Sequence, residues 1–107
     1  MAGVWLNGPG NKATCKMAVA IAMAESTGDT HAVNVNTDQW HSRDRGLWQI
    51  NDHFHPDCTD QCAFDPTCNA QCAFKISNGG TDFSLWSTFR KNMYQKFLDL
   101  AGQGCGV

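Results

Sequence analysis

Two carboxylic acids in this chain are spaced and surrounded so differently that they could share one reaction. Glu25 closes the apolar run "TCKMAVAIAMAES" at residues 14–26, and Asp44 sits in the polar segment "NTDQWHSRDRG" at residues 36–46. Glu25 follows Ile21 by four residues and Ala18 by seven, which puts it near the buried side of a helix. It also falls in the last helical turn, where the negative end of the helix dipole disfavours a carboxylate. Desolvation and the dipole both raise its pKa, as a general acid requires. The alternative is a solvated acid at a frayed helix end. Asp44 lies between Arg43 and Arg45, whose charges favour its ionised form, although in an extended segment they point to the opposite face. Its alternative is a surface ion pair, the common fate of an "RDR" run. One acid kept protonated and one kept ionised is the division of labour that cleaves a glycosidic bond.

The elements that must hold these acids are marked along the chain. Met17, Ala20, Ile21 and Ala24 recur at helical spacing, so residues 14–26 are predicted helical, with Thr14 as N-cap and Gly28 as the stop. From Ala32 to Asn51 short β-branched and polar pieces alternate with Asn, Asp and Gly, the pattern of a small antiparallel sheet. "GLWQI" is the one stretch there apolar enough to anchor in the core, and is expected as a strand that Asp44 leads into. A second helix starts at Asp65 as N-cap with Pro66 at its first position and stops before Gly79-Gly80. "FSLWSTF" reads as a short helix, and "RKNMYQKFLDLAG" as another with Gly102 as its C-terminal glycine. Trp48, Phe64, Phe74, Phe89 and Phe97 are expected in the core. Trp40, in a polar loop, is either a platform for a sugar or a surface aromatic. Helix, small sheet and then several helices make an α+β domain, read as one unit over residues 1–107.

Size and composition bound the function. A chain of 107 residues with 42% hydrophobic residues buries only about 60–70% of its unfolded surface, so its stability is thin. The six cysteines at 15, 58, 62, 68, 72 and 105 read as a disulfide framework formed in an oxidising compartment. Each bridge adds roughly 2–4 kcal/mol. A formal charge of −2 gives no basic stripe for nucleic acid, and no apolar run reaches the ~20 residues that span a bilayer. "MAGVWLNGPG" lacks the features of a signal peptide, so the chain reads as a secreted mature domain whose signal has been removed.

"ES", then 17 residues, then "DRGLWQIN" resembles the active-site segment of the lysozyme-like superfamily, most closely c-type (chicken-type) lysozymes and the related bacterial and phage domains. "NVNTD" before Asp44 and "NAQCAFKISNGGTDFSLWSTF" after it continue the likeness over roughly residues 17–90. The resemblance implies a lysozyme-like α+β fold, mostly helical with a small antiparallel sheet beside the cleft. It implies a muramidase with Glu25 as general acid and Asp44 as second carboxylate, working without a cofactor. Lysozyme is the type case of the raised Glu and of retaining glycosidic chemistry. Asn34, Asn36 and Asn51 resemble the polar groups around the aspartate, and Gln49 and Asn51 residues that line the cleft. Trp86 resembles the indole that packs on the acid and on the substrate's N-acetyl group. Phe54 and His55 fall where an aromatic pair stacks on sugar rings. The implied partner is the glycan strand of peptidoglycan or a chitin oligosaccharide, bound by a secreted monomer, with no nucleic acid or membrane.

This chain also departs from the family. The Glu-to-Asp interval is longer than usual, which leaves Asp38 as an alternative second acid. His55 stands where an aromatic is expected, the family's N-terminal helix is mostly missing, and the charge is slightly acidic.

"HFHPDC" with two C-x3-C pairs invites a zinc site, but the tight C-x2-C knuckle is absent and an oxidised chain offers no thiolates. Cys68 and Cys72 share a helix face and can both reach Cys58 and Cys62. The layout expected is Cys15 to Cys105, plus either 58–68 with 62–72 or 58–72 with 62–68. Beside hydrolysis, two other functions fit: a lytic transglycosylase that needs only Glu25, and a saccharide-binding relative without catalysis.

Overall fold

The computed structural model describes residues 2–6 and 11–106. In chain order it contains α1 (Ala2–Leu6), α2 (Asn11–Ser26), β1 (Val33–Val35), β2 (Arg43–Arg45), β3 (Ile50–Asn51), α3 (Asp60–Ala63), α4 (Pro66–Ile76), α5 (Ser87–Arg90), a 3-10 turn (Gln95–Phe97) and α6 (Leu98–Cys105). The strands form one antiparallel sheet in the order β1-β2-β3. This is the α+β architecture expected, with the sheet at one side of a helical body.

The long helix α2 is rich in Ala and Lys, the best helix formers, and these carry it back to Asn11. Thr14 is therefore one turn inside the helix and not its N-cap. Its methyl faces Gly80, where a Cβ would come within 2.3 Å of it and where φ is +86°, so only glycine fits. The helix ends at Ser26, and the left-handed turn begins at Thr27, with φ +53°, before reaching Gly28. Asp65 caps α4 as expected, accepting a hydrogen bond from the Cys68 N–H, with Pro66 beside it.

Three expected elements come out differently. Gly46–Gln49 is a turn and strand pairing begins only at Ile50, although Leu47, Trp48 and Ile50 are buried as anticipated. A Cβ on Gly46 would meet the Ala63 carbonyl at 2.1 Å, so the chain turns there against the end of α3. Asn69, fully buried on α4, accepts from Trp48 N–H and donates to the carbonyls of Arg45 and Ala63, which satisfies that turn internally. In "FSLWSTF" the helix begins only at Ser87, as α5 (Ser87–Arg90). Gly102 is buried inside α6, which packs on α2 and runs on to Cys105; the left-handed terminal glycine is Gly106, φ +74°.

The core gathers where α1, α2, α4 and α6 meet. Trp5 of α1 is completely buried, with Trp48, Phe74 and Phe83 rings 5.3, 5.6 and 5.7 Å away. Phe74, Phe89 and Phe97 are half-buried against this core. Phe64, the C-cap residue of α3, is outside it and stacks on His31 at 6.1 Å. All six cysteines are bridged: Cys15–Cys105 ties α2 to α6, and the alternative left open resolves as Cys58–Cys72 with Cys62–Cys68. The sulfurs that the zinc reading needed are thus in disulfides. Cys62 lies in α3, one turn of helix capped by Thr59, and pairs from there with Cys68.

Candidate active site

Glu25 and Asp44 open into one cleft of about 580 Å³. Its walls come from the end of α2, the sheet, the segment Phe54–His55 and the segment 85–90. Glu25 is half-buried there, and Thr88 Oγ1 donates to its Oε2 at 2.7 Å. Burial raises the Glu25 pKa above the ordinary carboxyl value, and the charge of Asp44 pushes it the same way. The Thr88 hydrogen bond and the Arg90 charge oppose this without reversing it. The expected cause, desolvation, is the leading one.

Asp44 occupies the middle of β2, and antiparallel pairing sets Asn34 and Asn51 opposite it on the neighbouring strands. Asn51 Nδ2 donates to Asp44 Oδ1 at 2.9 Å, and Asn36 Nδ2 to Oδ2 at 3.2 Å. Both amides also reach Ser42 Oγ at 3.1 Å, and the Ser42 hydroxyl donates to Asp38. Each amide therefore has one hydrogen on the carboxylate and one on a fixed, buried hydroxyl, which sets its orientation.

The flanking arginines do not pair with Asp44. Arg43 binds Asp52 at 2.9 Å and Asp60 at 2.7 Å, and the buried Arg45 binds Asp60 at 2.9 Å and the Ile50 carbonyl at 3.1 Å. Neutral amides, and not the arginines beside it in sequence, hold Asp44. Asp38 does not line the cleft; Ser42, through its hydroxyl and then its backbone N–H, holds the Asp38 carboxyl below its ordinary pKa.

The other residues singled out divide into two sets. Gln49, Asn51, Phe54, His55 and Trp86 line the cleft with the two acids. Asn36 stands behind Asp44, and Asn34 is exposed, its amide turned to Gln49. Gln49, with φ +51°, in turn donates to the carbonyls of Ala32 and Gly46, which fixes the turn at the cleft edge. Trp86 is buried and donates its indole N–H to the Trp48 carbonyl at 2.8 Å; Trp48 donates to the Ala18 carbonyl at 2.9 Å. That relay ties the Trp86 wall to α2. Burial lowers the His55 pKa, so its imidazole is biased to the neutral form. Ring packing around Phe54 involves Trp40 and His53, not His55. Sequence reasoning missed Thr88, Ser42 and Arg90, none of which carries a motif.

A family model described as a lysozyme-like domain matches residues 8–88. No curated protein and no solved structure matches the chain. The match covers most of the chain and both acids, and its fold agrees with the helices, sheet and disulfides found here. The chain belongs to the lysozyme-like domain family, whose substrates are glycans such as peptidoglycan.

Proposed function

We propose that this member of the lysozyme-like family is a muramidase, hydrolysing the β-1,4 bond between N-acetylmuramic acid and N-acetylglucosamine in peptidoglycan. One observation carries the proposal: a half-buried Glu25 of raised pKa shares a cleft with Asp44, whose two oxygens are held by Asn36 and Asn51. In this mechanism Glu25 donates its proton to the glycosidic oxygen as the bond breaks. Asp44, unprotonated, supports the positive charge growing on the anomeric carbon or bonds to it. Water then attacks that carbon and returns a proton to Glu25, leaving a reducing sugar end. Gln49, Asn51, Phe54, His55 and Trp86 bind the saccharide, and Asn34 and Asn36 support them. The catalytic unit spans residues 1–107 and acts without a cofactor, as a secreted monomer, on the walls of bacteria. The disulfides support an oxidising destination, and among the described residues no helix is long and apolar enough to cross a membrane.

The test is digestion of purified peptidoglycan, with the new sugar ends identified by mass spectrometry. Reducing ends are expected. Anhydro ends would make the protein a lytic transglycosylase in which Asp44 is a structural acid, and intact glycan would leave a binding protein.

A further inference from the structure

Beyond the cleft, three aromatic rings lie together on the surface. Trp40 stacks face to face on His53, 3.8 Å between centroids with 13° between planes. Phe54 meets both edge-on, 6.0 Å from Trp40 and 5.0 Å from His53. Phe54 is 65% exposed and Trp40 48% exposed, although neither is needed by the core. His53 covers one face of the indole, so the exposure of Trp40 belongs to the opposite face and the rim.

The cluster is pinned to the site from both ends. Asn51, whose Nδ2 holds Asp44, accepts with Oδ1 from the backbone N–H of His53 at 2.9 Å and of Phe54 at 3.1 Å. On the other side the hairpin tip that carries Trp40 is closed by Asp38, whose carbonyl accepts from the His41 backbone N–H at 3.1 Å and whose carboxylate accepts from the Ser42 backbone N–H at 2.9 Å and from the Ser42 hydroxyl. The rings therefore keep a fixed position relative to Asp44. Phe54 belongs to the cleft lining, so the aromatic surface continues the cleft outward to Trp40.

We infer that Trp40, backed by His53 and joined to the cleft through Phe54, is an additional stacking platform for a pyranose ring of a glycan strand longer than the cleft holds. The C–H face of a pyranose carries partial positive charge and lies flat on the electron-rich face of an indole. A rigid ring loses little entropy when it engages, which suits an extended polymer better than a flexible polar side chain would. The inference rests on the glycan reading of the site and names the direction in which the strand runs: out of the cleft past Phe54, over the tip of the β1–β2 hairpin. His53 is a positioning residue here, acting through the indole it supports.

The experiment compares wild type with Trp40→Ala on peptidoglycan glycan strands freed of stem peptides and separated into short and long fractions. Trp40→Ala leaves Asp38, Ser42 and both amides in place, so the Asp44 cradle is preserved. The expected result is a rise in KM on long strands of about three- to tenfold, with the KM ratio between long and short strands moving toward one. Trp40→Phe should restore part of the difference. An unchanged long-to-short ratio overturns the platform. If wild type cleaves neither fraction, the muramidase reading has failed and the platform is judged by calorimetric titration of Glu25→Gln and of Glu25→Gln with Trp40→Ala. Weaker binding of long strands by the double variant then supports the platform, and identical titrations overturn it.

Discussion

Glu25 at the end of α2 and Asp44 in the middle of β2 face one cleft, yet their surroundings share almost nothing. The helix delivers Glu25 into a half-buried position, where Thr88 of α5 donates its hydroxyl to it. The sheet surrounds Asp44 with side-chain amides from two flanking segments, each aligned by Ser42. A helix face turned to the core supplies desolvation, whereas strands in register supply paired polar side chains at fixed positions. The same functional group thus meets burial on one side and a cradle of amide hydrogen bonds on the other, according to the element that carries it.

The comparison breaks most severely if the helix side loses its proton donor. Glu25→Gln should fold and should cut glycan cleavage by roughly 10²–10⁴-fold. A folded variant keeping half of the wild-type rate would remove Glu25 from the mechanism. On the sheet side, Asp44→Asn should lower the rate by about 10²-fold, the scale of one lost electrostatic stabiliser. Asp38→Asn should cost much less, because Asp38 meets Asp44 only through Ser42 and the amides. Equal losses from the two substitutions, measured as kcat/KM on one glycan, would contradict that order.

A smaller effect tests whether the amides matter because Ser42 aims them. Ser42→Ala removes the acceptor on which both amides rest and leaves every residue lining the cleft in place. A loss of about tenfold in kcat is expected, the scale of one misplaced buried hydrogen bond. No change in kcat would mean that strand pairing alone holds the cradle.

Where the sequence was legible, the cause was local. The start of α4 follows from Asp65 and Pro66, and the face of α2 that carries Glu25 follows from Ile21 and Ala18. The cradle of Asp44 was partly legible: Asn34, Asn36 and Asn51 were expected around it, and alternation along an extended segment was expected to turn the neighbouring arginines to the opposite face. Strand alternation does send Arg43 and Arg45 away, to Asp52 and Asp60. Thr88 was invisible, since its bond to Glu25 spans 63 positions. Trp5 was missed because α1 is too short to show periodicity. The open disulfide choice depended on α3, whose single turn has no signal beyond its Thr59 cap.

The finest difference between the two sides is the hydroxyl that Thr88 offers to Glu25. That bond favours the carboxylate over the acid, so it lowers a pKa that burial raises. Thr88→Val keeps the shape and deletes the donor. Glu25 should then hold its proton to higher pH, and the basic limb of the activity profile should move toward alkaline pH. Stability should follow with the opposite benefit. A carboxyl whose folded pKa lies above its unfolded value binds more protons in the native state between the two, so stability falls as pH rises through that window. Below the ordinary carboxyl pKa both states are protonated and this group adds no pH dependence. Relative to wild type, Thr88→Val should therefore show a wider window of pH-dependent loss, read as Tm against pH, while Glu25→Gln should abolish it. A limb that moves toward acid, or a Tm profile of Glu25→Gln parallel to wild type through the window, would mean that burial does not control the proton on Glu25.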